Sequence, residues 1–171
     1  MNNAGNKLRD LAGILKKGNT FSITEAVTSL RKGVPIEGAI GLLAEYYNNS
    51  TDAVIRKIIE DFFNDIRYQA AREEVIAEIR KPWKERTISM LVSSCWQSGL
   101  DYSEYITDMA KVFLEGDYST AIECMTVIEE SARYNTRKQK DVIIKMIENK
   151  AGAFTHEKNS LTLELIEILE R

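Results

Sequence analysis

Histidine, cysteine and proline are scarce in this chain: 171 residues include one, two and two of them. Zinc centres and nucleophile–base pairs need histidine, cysteine and carboxylates at cooperating spacings. His156 stands alone in a polar stretch before the last predicted helix, which gives it a place in a loop or first turn. Cys95 and Cys124 lie among apolar neighbours at no zinc or dithiol spacing, and read as buried small hydrophobes. A glycine-rich phosphate loop, a Gly-x-Ser-x-Gly elbow and a His-Glu-x-x-His pair are all missing. No run of roughly 18 apolar residues occurs, so the sequence predicts no membrane-spanning helix. The opening Met1-Asn2-Asn3-Ala4-Gly5-Asn6 is polar, and Leu8, Leu11, Ile14 and Leu15 after it are interleaved with Lys7, Arg9, Asp10 and Lys16, unlike a signal peptide. The expectation is a cytoplasmic, non-enzymatic protein with no catalytic, metal or cofactor residues. In that compartment the sequons at Asn48 and Asn49 serve as a polar turn.

What is present belongs to a folded chain. Apolar residues make up 44% and charged residues 29%, enough to bury a core over 171 residues without metal or disulfide staples. One domain spanning 1–171 is the expectation, with an N-terminal helix pair over 1–33, repeats over 34–150 and a C-terminal helix over 155–171. Apolar residues recur at helical spacing in nearly every segment, while period-two alternation is nowhere sustained, which predicts an all-α fold of about ten helices. Ser22-Ile23-Thr24-Glu25 has the pattern of a capping box ahead of the stripe Ile23, Ala26, Val27 and Leu30, and Gly33 ends that helix. Pro35 suits the first turn of a third helix burying Ile36, Ala39, Ile40, Leu43 and Tyr47, with Gly38 and Gly41 as close-packing sites. Further helices are predicted near 51–66, 70–81, 84–98, 102–115, 118–132, 136–149 and 157–170, with Asp101 capping the one near 102.

The helices recur. Aligning Val54–Ile59 with Lys84–Ser89 and Tyr118–Glu123 places isoleucine on isoleucine at steps of 30 and 34 residues. Self-similarity at that period belongs to helix pairs that cannot bury their faces alone and stack. Thr51-Asp52-Ala53-Val54-Ile55-Arg56, continued by Ile58 and Ile59, resembles the second helix of a HEAT repeat; Arg86 with Ile88 fits in part, and the unit at Tyr118 lacks the arginine. The likeness covers about 34–150, and the anchors of the tetratricopeptide repeat are not at their spacings. It implies a right-handed α-solenoid of about five stacked antiparallel helix pairs, HEAT/armadillo-like, whose second helices line a concave binding face.

Adjacent carboxylates such as Glu73-Glu74 and Glu129-Glu130 point about 100° apart on a helix and serve a solvated face better than acid–base catalysis. Charge is unevenly spread: residues 1–33 carry a net +4, 34–132 a net −9 and 133–171 a net +2. An acidic middle attracts a basic protein or peptide and repels a nucleic-acid backbone. The cluster Arg133, Arg137, Lys138 and Lys140 is the local exception, able to meet phosphate or an acidic peptide. Opposite the apolar stripes, the candidate protein-binding face comprises Lys57, Glu60 and Asn64, then Arg86, Ser93 and Gln97 with Trp96 at the stripe's edge, then Glu123, Val127 and Glu130. The expected function is a protein-interaction scaffold; the alternatives are a small inhibitor of the immunity-protein kind and an alkylation-repair-like nucleic-acid binder. In the last helix Leu161, Leu163, Leu165, Ile166, Ile168 and Leu169 leave little polar surface, which points to another chain covering it, a second copy being one candidate.

Overall fold

The computed structural model describes residues 3–17, 19–150 and 152–171. The described residues form helices joined by turns and loops, without a strand. The helices are α1 (Asn3–Lys17), α2 (Thr20–Lys32), α3 (Ala39–Asn49), α4 (Ala53–Asn64), α5 (Ala71–Ile79), α6 (Glu85–Gln97), α7 (Ile106–Glu115), α8 (Tyr118–Ala132), α9 (Arg137–Glu148) and α10 (His156–Glu170), with a 3-10 turn at Ser103–Tyr105. None is long and apolar enough to cross a membrane. The chain divides into two compact units, Met1–Ser98 and Gly99–Arg171.

Local chemistry sets the helix starts, not always where the sequence pattern put them. Asn19, not Ser22, caps α2: its side-chain oxygen accepts the Ser22 N–H at 3.0 Å, so the serine of the expected capping box is already inside the first turn. Asp52 caps α4 by accepting from the Val54 and Ile55 N–H groups. The reciprocal capping box belongs to α9, where Thr136 and Gln139 satisfy each other's backbone donors. Pro35 lies outside any helix, because α3 starts only after Gly38, whose φ of 84° is the left-handed conformation that glycine adopts without a Cβ penalty. Gly41 is the close-packing site expected of it, since a Cβ there would lie 3.1 Å from the Glu78 carboxylate. Asp101 caps the short 3-10 turn through the Ser103 N–H, and α7 follows only at Ile106.

In the first unit, α1 touches α2 and α3, α3 also touches α4, α5 and α6, α2 touches α4, and α4 and α5 touch α6. In the second, α7 lies against α8 and α9, and α10 against α8 and α9. Each helix therefore meets the next helix but one within its unit. Thr20 donates to Asp52 at the starts of α2 and α4, and Arg31 pairs with Asp65 at their ends, so these two helices run parallel. Helices α2, α4, α6 and α8 begin at Thr20, Ala53, Glu85 and Tyr118, a step of 32 or 33 residues, and α10 begins 38 residues further on, at His156.

That step corrects the alignment made on isoleucine. The equivalent buried seams are Ile55, Ile59 and Phe63 on α4; Thr87, Leu91 and Cys95 on α6; and Thr120, Cys124 and Ile128 on α8, every one of them almost fully buried. Threonine and cysteine occupy seam positions where isoleucine was sought, so matching by residue identity gives steps two residues shorter from α4 to α6 and one residue longer from α6 to α8.

Cations cap the carbonyl ends of several helices from 32 to 44 residues away in the chain. The Arg86 guanidinium donates to the Tyr47, Asn48 and Ser50 carbonyls at 3.4, 3.0 and 2.8 Å. Lys158, buried between Phe113 and Phe154, donates to Leu114 and Gly116 at 3.1 and 2.5 Å. Arg137 reaches the Leu169 and Glu170 carbonyls. Positive charge at a helix C-terminus meets its unpaired carbonyls and the negative end of its dipole, for about 0.3–2 kcal/mol each.

Candidate interaction surface

On α4, Lys57 is exposed and paired with Asp61 at 2.8 Å, which raises its pKa above the ordinary 10.5, chiefly through that hydrogen bond. Glu60 faces inward enough to accept the Tyr47 hydroxyl at 2.7 Å. Burial, and then that bond, hold the Tyr47 phenol well above its ordinary pKa, so it stays a donor. Asn64 is half-buried at the end of α4, where its carbonyl and that of Ser98 both accept from Arg67. On α6, Gln97 donates to Ser93 at 2.8 Å across one helical turn, and Trp96 is half-buried beside them. The structure therefore keeps Lys57, Asn64, Ser93, Trp96 and Gln97 at least partly open on two neighbouring helices of one unit.

Arg86 and Val127 are placed differently. Arg86 turns toward α3 and spends its guanidinium on three carbonyls, stacked over the Tyr47 ring. Val127 is 2% exposed, continuing the α8 core. In the second unit Glu123 is half-buried and Glu130 is exposed. The basic cluster is also partly committed: Arg137 pairs with Asp141 and Arg133 lies over the Tyr134 ring at 4.7 Å.

A residue that the sequence pattern missed organises this region. Asn48 is buried, and its side-chain oxygen accepts the Lys84 N–H at 2.9 Å and the Thr87 hydroxyl at 3.0 Å. An asparagine one residue after a core tyrosine looked like a polar turn, and nothing local distinguishes the two. Lys158 was legible, since it falls on the same helical face as Leu161 and Leu165. Glu78, buried against Lys81 and Trp83, likewise sits between core positions. Among the described residues no group of three or more histidine, cysteine and carboxylate side chains is placed to hold a metal.

Matched against protein-family models and curated proteins, the chain meets none that corresponds.

Glu74 provides a pH test of this packing. Its carboxylate accepts the Gly38 N–H at 3.1 Å, and its pKa is raised above the ordinary 4.5, first by burial and then by Glu37 and Glu78, against the lowering effect of that bond. A raised acid pKa contributes stability that is complete below the unfolded value and is lost as pH rises through the folded one. Glu74→Gln, neutral throughout and still able to accept from Gly38, is expected to melt above the wild type near pH 8 and level with it near pH 4. A variant that melts lower near pH 8 would contradict this assignment.

Proposed function

We propose that the chain is a non-catalytic protein-interaction scaffold of the HEAT/armadillo kind, a right-handed α-solenoid whose even-numbered helices offer a face to a protein or peptide segment. The observation that carries this reading is the contact of each helix with the next but one inside each unit, with α2, α4, α6 and α8 starting 32 or 33 residues apart. Three long-range hydrogen bonds made at helix starts and in turns fall at a similar interval: Thr20 to Asp52, Arg67 to Ser98 and Asn135 to Ser103 join residues 32, 31 and 32 apart. Repeats of that kind fold by burying one pair against the next, which leaves the outer faces open for recognition. The net charge of −9 over residues 34–132 favours a basic partner.

Affinity capture from cell lysate with the tagged chain, at low and moderate salt, tests the reading. The expected result is a basic protein retained at low salt and released as salt rises. The purified partner should then bind Glu130→Lys at least about threefold more weakly, with the melting temperature unchanged. Equal capture by wild type and variant, or a partner whose retention ignores salt, would contradict the acidic face.

A further inference from the structure

The last two helices carry opposite charge on their outer sides. In α9, Ile143, Ile144 and Ile147 are buried, and Lys138, Val142 and Lys145 are exposed on the opposite side. In α10, Leu161, Leu165 and Leu169 are buried, and Leu163, Glu164 and Glu167 are exposed. This corrects the expectation that the whole apolar surface of α10 awaits a cover: the chain itself buries four of its six leucines and isoleucines, and only Leu163 stands out, at 65% exposure.

The two helices are neighbours and run antiparallel, because Arg137 at the start of α9 bonds the carbonyls at the end of α10. Val142 lies about 7.5 Å along α9 from that shared anchor and Leu163 about 9–10 Å along α10, so the two exposed apolar residues sit within about 3 Å of one level. Lys138, Lys145, Glu164 and Glu167 have no ion-pair partner among the described residues.

We propose that this surface pairs with a second copy of the chain across a two-fold axis. The basic side of α9 in one copy meets the acidic side of α10 in the other, with Val142 and Leu163 between them. A two-fold interface uses one patch twice, so the patch must complement itself, as a basic strip beside an acidic one does. A uniformly basic or uniformly acidic partner would be repelled by half of it. The surface lies on the second unit alone and stands whether or not the even-numbered helices bind a peptide.

Sedimentation over a concentration series tests the pairing. The wild type is expected to approach twice the monomer mass at low salt and to fall back toward monomer as salt is raised. Lys138→Glu/Lys145→Glu and Glu164→Lys/Glu167→Lys are each expected to raise the dimer dissociation constant at least about tenfold, since each change acts at both halves of the interface. Mixed in equal amounts the two variants should dimerise again, because each reversed helix then faces its complement. Leu163→Asp, at an exposed position, gives the same weakening should either double variant lose helicity by circular dichroism. A wild type that stays monomeric, a dimer indifferent to salt or to these changes, or folded variants that remain monomeric when mixed would overturn the proposal.

Discussion

Phe63→Ala is expected to lower the unfolding free energy by about 3–5 kcal/mol, the range for emptying a buried aromatic site. Phe63 is fully buried at the third position of the α4 seam and meets Phe62 edge to face, with centroids 5.6 Å apart and planes at 87°. Its neighbours belong to a closely packed interior and relax only in part, so both the transfer term and the cavity contribute. Phe63→Leu, which keeps most of the volume, should cost under about 1.5 kcal/mol. Urea denaturation monitored by circular dichroism measures both. A loss below about 1 kcal/mol for the alanine variant would mean that the seam is not the core of this unit.

Arg86→Ala is expected to cost about 2–3 kcal/mol, because it strips charge-assisted donors from three carbonyls at the end of α3. The buried Arg86 Nε has no acceptor, and that desolvation cost, relieved in the variant, keeps the estimate below a larger figure. Arg86→Lys should recover only part of the loss: an ammonium can donate to several carbonyls, as Lys158 does, but it is more strongly hydrated than a guanidinium and lacks its planar face toward the Tyr47 ring. This result also separates two roles for the residue. A member of a binding face would lose affinity at constant stability, whereas a cap for α3 loses stability at constant affinity per folded molecule. Denaturant midpoints measured beside partner binding distinguish them.

How much of this was legible in the sequence depended on whether the signal was local. The apolar period marked the helices well: α8 runs from Tyr118 to Ala132 as the pattern predicts, and α4 and α6 differ from their predicted spans by two residues or fewer at each end. Helix starts were harder, because Asn19 and Ser22 are both good caps and only the chain geometry chose between them. The spacing of the buried seams was not legible, since Thr87 and Cys95 occupy buried positions that a search for isoleucine passes over. Arg86 looked like a surface residue because its partners, the carbonyls around Asn48, lie 36 to 39 residues away in the chain. The α10 leucines suggested an open face because α8 and α9, which cover them, are invisible to a helical wheel drawn for one helix.

The stacking of alternate helices is the claim on which the account rests, and spin-label distances test it most directly. Glu25, Lys57 and Ser89 fall at equal steps on α2, α4 and α6, and none is fully buried. With cysteine introduced at two of them at a time and labelled, adjacent stacked helices should place Glu25 and Lys57 about one interaxial spacing apart, near 10 Å, and Glu25 and Ser89 about twice that. Equal distances for the two pairs, or a Glu25–Ser89 distance shorter than Glu25–Lys57, would show a closed bundle in place of a stack.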